Sequence, residues 1–331
     1  MPDPLGGVRV ARGAALLAAG LMVLPAAAQE TREAMAAECT GANAVLAPLC
    51  LESVLALEAA RGTVGLAAAQ GTPVPGSTST LGRRLGTSPR FALSLRGALT
   101  RASMLDPRSG EAPARERSFW VPAVEGGFTL GVLDGFSVLP TVGGILSLDL
   151  LGSVGVAPLS EDEGFDGSTQ WFGYGARLGL LRESFTLPGV SVSAQRRHLT
   201  DIQWGTPADR ARAVFDPTVT SLRATVGKDF LAFGILGGWG WEWYGGRSAV
   251  AVERSSGVLP IETVTGSAES DDFESDRVLF FGGISYTFLV LQLAAEGGFA
   301  TGWDDVPGRS TAGYDPTGGT IFGSVSGRLT F

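Results

Sequence analysis

Apolar and polar residues alternate along most of the chain from residue 91 onwards. Between Phe91 and Ala102, apolar or small residues hold the odd positions, and small or polar residues hold the even ones. Because successive side chains of a β-strand point to opposite faces, this period of two predicts a strand with one apolar face. The same pattern predicts ten strands, at about 91–102, 120–132, 146–156, 171–180, 190–195, 219–227, 231–243, 278–288, 289–299 and 321–331.

The connections between these strands alternate in length. Short ones are expected near 134–140, 187–189, 227–230 and 286–289. Long polar ones are expected at about 105–117, 158–168, 205–216, 254–276 and 304–318. Tight inner turns and longer outer loops are typical of a transmembrane β-barrel. Residues 91–331 are therefore predicted to form an all-β, antiparallel, up-and-down transmembrane barrel of about ten strands, within a range of eight to twelve.

A soluble β-sandwich is the alternative, because its strands alternate too. Its second face would meet water and carry abundant charge, whereas the second face here is mainly Gly, Ala and Ser, which suit a crowded lumen. Aromatic residues near the predicted strand ends favour the interface girdles of a membrane protein, with core packing as the competing explanation. They are Trp120, Trp171, Trp204, Trp239–Trp243, Tyr244 and Trp303.

Composition narrows the class of protein further. The 331 residues include 48 glycines, yet 44% of the chain is hydrophobic, so it is not a disordered Gly-rich chain. Each interior glycine costs a helix about 1 kcal/mol, which disfavours a mainly helical protein. The formal charge of -8 argues against nucleic acid as a partner, because phosphate binding needs clustered positive charge.

The first 28 residues are predicted to be a signal peptide. Arg9 and Arg12 precede an apolar run from Ala14 to Leu24, and Ala26–Ala28 offers a small-residue cleavage site. A membrane-spanning anchor, the alternative, needs about 20 apolar residues, and this run is shorter. Export of the chain is therefore expected.

Residues 29–70 contain the two cysteines of the chain, Cys39 and Cys50. In an oxidising exported compartment a lone nearby pair predicts a disulfide, since a metal or redox pair would need further ligands or a Cys-x-x-Cys spacing. Leucines among alanines then predict a helix or helical hairpin, interrupted by Pro48 and Gly62. We expect this segment on the periplasmic side or as a plug in the barrel mouth.

Residues 71–90 are rich in Gly, Pro, Ser and Thr. Such clusters between patterned segments are typical of loops. A linker between the helical segment and the barrel is therefore predicted here.

The last strand has the sequence IFGSVSGRLTF, with Val325, Leu329 and the terminal Phe331 on one face. It resembles the carboxy-terminal signature of Gram-negative outer-membrane β-barrel proteins, which the barrel-insertion machinery reads, although Gly323 stands where that signature often has an aromatic residue. The resemblance implies an outer-membrane location, contact with outer-membrane lipid and lipopolysaccharide, and the insertion machinery as a partner during biogenesis. No narrower family is identified.

Several charged residues fall on the predicted lumen face: Arg96, Glu125, Asp149, Arg177, Arg223, Glu242, Glu296 and Arg328. Counting from the strand ends places Arg96 and Arg328 at depths similar to those of Glu125 and Glu296, and Asp149 and Arg177 repeat the pattern. Because unpaired buried charges are costly, pairing is expected if the interior is dry and mostly closed. The alternative is an aqueous pore with hydrated charges.

Catalytic signals are sparse. His198 is the only histidine, which excludes a multi-histidine metal site within one chain. Some outer-membrane barrels are proteases or lipid A-modifying enzymes with a histidine beside an acidic residue at the rim, so His198 with Asp201 is the enzymatic alternative. A lone histidine is more often a solvated rim residue. The sequence therefore predicts a non-enzymatic barrel without cofactor or metal, serving structure, surface interaction or small-solute passage.

Overall fold

The computed structural model describes residues 25–84, 88–111, 113–137, 143–255, 262–271, 273–303 and 314–331. The predicted signal peptide lies outside these ranges except for residues 25–28. Parts of the predicted connections 254–276 and 304–318 also lie outside them. Two helices precede the strands: α1 (Pro25–Thr40) and α2 (Ala47–Ala69). Two short strands at the start of the sheet region, β1 (Arg83–Arg84) and β2 (Ser88–Pro89), pair with each other.

Ten strands form a closed antiparallel barrel, which confirms the predicted fold class. They are β3 (Phe91–Asp106), β4 (Arg115–Leu133), β5 (Ser147–Pro158), β6 (Ser168–Leu181), β7 (Gly189–Leu199), β10 (Thr218–Phe230), β11 (Phe233–Gly245), β14 (Ser275–Phe288), β15 (Leu291–Ala300) and β16 (Thr320–Thr330). Each barrel strand pairs with the next barrel strand along the chain, and β16 pairs with β3 to close the ring. Each of the ten predicted strands overlaps one of these.

The long and short connections lie at opposite ends of the barrel. The end where β3 meets β4 is called the outer end, and the opposite end, where β3 begins, the inner end. At the inner end, two residues join β10 to β11 and two join β14 to β15. Leu231 and Leu289 begin these turns with φ of 58° and 55°, because two-residue hairpin turns need a residue with positive φ.

The outer wall of the barrel is apolar. Leu95, Val154 and Ile284 face outward and are 63%, 63% and 65% exposed. Phe233 and Trp243, ten residues apart on β11, face the same side. A rise of about 3.3 Å per residue and a tilt of about 40° separate them by about 25 Å along the barrel axis, the height of a membrane-facing band. A soluble sandwich would not expose an apolar belt of this size.

The aromatic residues expected at the strand ends divide into two groups. Trp120 and Trp239 face outward and are about half exposed, and Trp241 and Trp243 stack with ring centroids 5.3 Å apart on the same wall. The others are buried inside the protein: Trp171, Trp204, Tyr244 and Trp303. For this second group, core packing is the correct explanation, and the girdle assignment is wrong.

A second sheet at the outer end is absent from the sequence prediction. It has the order β13-β12-β9-β8, from β8 (Ile202–Trp204), β9 (Ala211–Phe215), β12 (Ser248–Ser255) and β13 (Thr263–Ser270). β9 and β13 lie within the connections predicted at 205–216 and 254–276, β8 lies just before the first of them, and β12 begins six residues before the second. Buried residues alternate along β9 at Ala211, Ala213 and Phe215, so a period-two signal was present there.

The two helices pack together at the outer end. Cys39 and Cys50 form the predicted disulfide, with their Cα atoms 5.8 Å apart. Pro48 does not interrupt α2, because it lies in the first helical turn, where its missing N–H has no partner to lose. Gly62 does not interrupt it either. α2 is one helix, buried on all sides from Leu49 to Ala69. Among the described residues, no helix is both long and apolar enough to cross a bilayer.

Gly62 lets α2 approach the barrel wall. A Cβ at this position would lie 2.0 Å from Cζ2 of Trp303. We expect Gly62→Ala to lower the free energy of unfolding by about 1–3 kcal/mol through overpacking, although alanine favours a helix by about 1 kcal/mol. Urea unfolding in lipid vesicles measures this. Gly152→Ala is the control, since nothing lies within 4 Å of its added Cβ; equal midpoints for both variants would contradict the prediction.

Candidate functional site in the occupied lumen

The lumen of the barrel is filled by the chain itself. After α2 ends, residues 70–82 continue towards the inner end in non-helical conformation, and most of them are buried. We call residues 70–82 the plug segment. Gln70 lies beside Arg96, and the carbonyl of Gly82 accepts a hydrogen bond from the N–H of Arg90 at the inner end (3.3 Å). The predicted linker 71–90 does join the helix to the barrel, but its first twelve residues lie inside the lumen.

At the outer mouth, two arginines fix α2. Arg277 on β14 donates a hydrogen bond to the carbonyl of Gly62 (2.5 Å), and its guanidinium lies 4.0 Å from the centroid of the Trp303 ring. Arg61 on α2 donates to Ser275 Oγ (2.9 Å) and to the carbonyl of Phe273. Hydrogen bonds therefore run in both directions at the mouth: Arg277 of the wall donates to the helix, and Arg61 of the helix donates to β14.

The C-terminal end of α2 points at further arginines. Arg96 donates to the carbonyl oxygens of Gln70 (2.7 Å) and Thr72, and Arg223 donates to that of Gly71. The last carbonyls of a helix lack intrahelical partners and carry partial negative charge. Arg96 therefore satisfies the carbonyl of the C-cap residue Gln70, and the two arginines together anchor the start of the plug segment.

Carboxylates balance these arginines. Glu125 accepts hydrogen bonds from Arg96 (3.1 Å), Arg197 Nε (3.1 Å) and Trp171 Nε1 (3.2 Å). Arg223 also forms an ion pair with Glu242 across β10 and β11. The charges are buried with partners, which reduces the cost of removing them from water.

Two of the predicted lumen charges have partners other than an opposite charge. Glu296 accepts a hydrogen bond from the backbone N–H of Thr72 (2.6 Å) and another from its hydroxyl. Arg328 donates to the side-chain oxygen of Gln292. Glu296 therefore binds the plug segment, and the structure does not bring it into an ion pair with Arg328.

In the inner half of the lumen, the wall supplies hydrogen bonds to the plug backbone. Asp149 accepts from the N–H of Leu81 (3.0 Å) and forms an ion pair with Arg177 (2.8 Å). Arg177 also donates to the carbonyl oxygens of Ser77 (3.0 Å) and Ser79 (2.6 Å). Buried backbone groups need partners, and these wall side chains provide them where no neighbouring strand is paired with the segment.

Wall glycines shape the space for the plug segment. A Cβ added to Gly189 would lie 2.4 Å from Thr78 Oγ1, and one added to Gly227 would lie 2.8 Å from Thr78 Cγ2. At Gly131 an added Cβ would lie 2.1 Å from the carbonyl oxygen of Gly82. Part of the high glycine content is therefore explained by close approach of the plug to the wall.

Sequence reasoning missed several residues of this site, including Arg197, Arg277 and Trp171. Arg197 lies two residues beyond the end of the strand predicted at 190–195, so its alternation is not followed that far. The alternation along β7 carried the relevant signal, because Ser191, Ser193, Gln195 and Arg197 share the lumen face. The plug segment itself is absent from the prediction, because nothing in the composition of residues 71–90 separates a buried segment from an exposed linker.

The residues of the enzymatic alternative lie on the outside of the barrel. His198 stacks on Phe172, with ring centroids 5.1 Å apart, and its Nδ1 lies 3.4 Å from Thr218 Oγ1. Asp201 is exposed, beyond the end of β7. In the described part of the chain, His198 makes no hydrogen bond to a carboxylate, and no group of three or more His, Cys, Asp or Glu side chains is arranged to hold a metal ion.

The residues of the expected insertion signal also face outward. Val325, Leu329 and Phe331 are 65%, 39% and 49% exposed, and Phe331 stacks on Phe91 with ring centroids 5.0 Å apart. This contact lies at the seam where the last strand meets the first strand of the barrel. Their role in recognition by the insertion machinery remains a prediction.

Comparison with known proteins finds similarity at the level of structure. No family model and no curated protein sequence matches the chain. The outer membrane protease OmpT of Escherichia coli aligns with a TM-score of 0.37 at 12% identity, over 77% of this chain and 100% of that one. The transport unit of the autotransporter AIDA-I of E. coli aligns at 0.39 and 10% identity, over 84% and 99%. The translocator domain of the autotransporter NalP of Neisseria meningitidis aligns at 0.37 and 12%, over 75% and 90%. These TM-scores are low, so the barrel architecture is assigned from the strand pairing of this chain itself.

Asp149 tests the energetic coupling of plug and wall. Asp149→Asn removes the carboxylate that pairs with Arg177. It also weakens the hydrogen bond that residue 149 accepts from the backbone N–H of Leu81. Because Arg177 is then left buried without its counter-charge, we expect a loss of about 3–5 kcal/mol in the free energy of unfolding. Urea unfolding in vesicles provides the measurement. Asp201→Asn is the matched control, an identical change at an exposed position; similar losses for the two variants would exclude a special contribution of the lumen pair.

Proposed function

We propose that this protein is a non-enzymatic outer-membrane β-barrel, exported by its signal peptide, whose lumen is closed by its own N-terminal segment. Its function is to present a folded unit at the cell surface for structural support or interaction. The observation that carries this proposal is the plug segment, residues 70–82, which occupies the lumen and is bonded to the wall. Among the roles expected for the barrel, closure favours structure or surface interaction over solute passage.

Hydrogen bonding along the plug segment supports closure. Its carbonyl or N–H groups are bonded at Gln70, Thr72, Gly76, Ser77 and Leu81. A solute passing through would have to displace these buried bonds together. Removing a partner from a buried polar group costs about 1–3 kcal/mol, so the combined barrier is large.

The wall supports the outer-membrane location. An outward apolar band about 25 Å high matches the lipid-facing band of outer-membrane barrels. The final strand β16 carries the outward residues Val325 and Leu329 and is followed by Phe331, as the resemblance to outer-membrane proteins implies. We infer that outer-membrane lipid and lipopolysaccharide surround this band, and that the insertion machinery reads the last strand during biogenesis.

The unit at the outer end has the features of a folded surface module. It comprises α1, the first half of α2 and the four-stranded sheet β13-β12-β9-β8. The buried Arg32–Glu58 ion pair joins the two helices (2.8 Å). Arg254, at the end of β12, donates to the carbonyl of Val45 and so joins the sheet to the helical segment (3.0 Å). Burial raises the pKa of the Glu52 carboxyl, which accepts a hydrogen bond from the N–H of Ala114 in the β3–β4 connection (3.2 Å).

The conductance of the full-length protein in a planar bilayer tests closure. We expect the unaltered protein to show no steady open channel. Arg96→Met combined with Arg223→Met removes the donors to Gln70, Gly71 and Thr72 and should produce intermittent openings. Arg212→Met, a change on the outer sheet, is the control. A large steady conductance of the unaltered protein would overturn the proposal in favour of an open pore.

The same preparation tests the enzymatic alternative. Lipid A and peptide turnover are measured for the unaltered protein, His198→Asn and Asp201→Asn. We expect no turnover in any of them. Activity in the unaltered protein that is lost in His198→Asn would replace the proposal with a rim enzyme.

Labelling of intact cells tests the orientation of the chain. A short epitope inserted after Gly41, an exposed residue between the helices, should be accessible from outside. An epitope in the exposed outer connection at Asp162 is the positive control, and one at Phe185, in the inner turn between β6 and β7, is the negative control. Labelling of the Phe185 insertion with protection of the other two would invert the topology.

A further inference from the structure

On β7, the guanidinium of Arg196 and the imidazole of His198 face the outside of the barrel. Along this strand Arg197 points into the lumen, where it is bonded to Glu125, and its neighbours Arg196 and His198 point outward. Arg196 is exposed and His198 is half-buried. In the part of the chain that the structure describes, the guanidinium of Arg196 makes no hydrogen bond or ion pair with protein.

Their height on the wall can be estimated from the strand geometry. Arg196 and His198 lie seven and nine residues beyond Gly189, at the inner end of β7. With a rise of about 3.3 Å and a tilt of about 40°, these positions are about 18 Å and about 23 Å above the start of the strand. Both therefore lie in the upper part of an apolar band of about 25 Å, where hydrocarbon gives way to headgroups of the outer leaflet.

An unpaired outward cation at this height needs a partner from the membrane. An arginine on the lipid face costs about 2–4 kcal/mol at the bilayer midplane, and the cost falls towards the interface. The neighbouring outward residues Phe172 and Tyr174 are 56% and 54% exposed and give no negative charge. An anionic lipid headgroup at the interface would remove this cost.

The residues beside Arg196 supply further donors. In the strand register Arg196 lies opposite Tyr174 on β6 and Thr220 on β10. The Tyr174 and His198 rings are stacked with centroids 6.1 Å apart. His198 Nδ1 faces the hydroxyl of Thr218, and no hydrogen bond within the described residues engages Nε2. A guanidinium, an imidazole N–H and a phenol are thus grouped on one patch of the wall.

We propose that Arg196, His198 and Tyr174 form an external site for the phosphate group of an outer-leaflet lipid. A guanidinium binds phosphate oxygens through two parallel N–H bonds, and neutral donors beside it complete the set of contacts. The aromatic rings pack against the upper acyl chains and the glycolipid backbone below the phosphate. The inference rests on the proposed function in one respect, that the outer end of the barrel faces the outer leaflet.

Arg101 provides a contrast within the same protein. It also faces outward near the upper end of its strand, opposite Trp120. The next residue on that face, Ser103, has its hydroxyl bonded to the carboxylate of Glu116. A carboxylate in this position disfavours an anionic ligand, so Arg101 serves as a matched membrane-wall control.

The test uses full-length protein in nanodiscs of phosphatidylcholine with a small fraction of bis-phosphorylated lipid A, or of lipid A with both phosphates removed. Native mass spectrometry counts the lipid A molecules retained per protein. We expect the unaltered protein to retain the phosphorylated form and not the dephosphorylated one. Because a charge-assisted hydrogen bond contributes about 1.5–3 kcal/mol, Arg196→Gln should lower retention at least about tenfold, whereas Arg101→Gln should retain it.

Each other outcome counts against the site. Equal retention by the unaltered protein and Arg196→Gln, or equal losses in Arg196→Gln and Arg101→Gln, would overturn it. Displacement of lipid A by inorganic phosphate alone would assign the site to the free ion and not to a lipid. Heat-modifiable migration on gels verifies that each variant is folded. Failure of the unaltered protein to enter nanodiscs would instead contradict the proposed membrane function.

Discussion

The backbone of the plug segment is the constraint on which the rest of the lumen depends. A chain crossing a barrel interior without pairing to a neighbouring strand must have its N–H and C=O groups satisfied by side chains. Arg96, Arg177 and Arg223 serve this purpose by donating to carbonyl oxygens, and Asp149 and Glu296 by accepting from N–H groups. The carboxylates that neutralise these arginines and the glycines that admit the plug follow from the same requirement.

The barrel itself was predictable because its wall obeys one strict rule. In each wall strand the outward side chains must be apolar or small, and the inward ones must fit a crowded interior. The period of two therefore persists through all ten strands. The same alternation correctly assigned the lumen face of Arg96 and Glu125, which lie opposite each other in the register of β3 and β4. It also identified Asp149 and Arg177 as neighbours on β5 and β6.

What the sequence did not predict depends on contacts between distant segments. Residues 71–82 have the composition of a linker, because a segment bonded by other side chains needs no pattern of its own. Similar depths predict an ion pair for Glu296 and Arg328, whereas Glu296 binds Thr72 of the plug segment, which the sequence does not place in the lumen. The outer sheet was missed because its strands are short and interrupt polar connections. Pro48 was misjudged because its effect depends on which helical turn it occupies.

The Cys39–Cys50 bridge has a consequence for the order of assembly. Two helices side by side measure about 20 Å across, which is wider than a lumen filled by one helix and an extended chain. Once the bridge has tied α1 to α2, this hairpin is too bulky to slip through a completed ring. If the bridge forms before the ring closes, the seam between β16 and β3 has to join around a chain that already lies in the lumen.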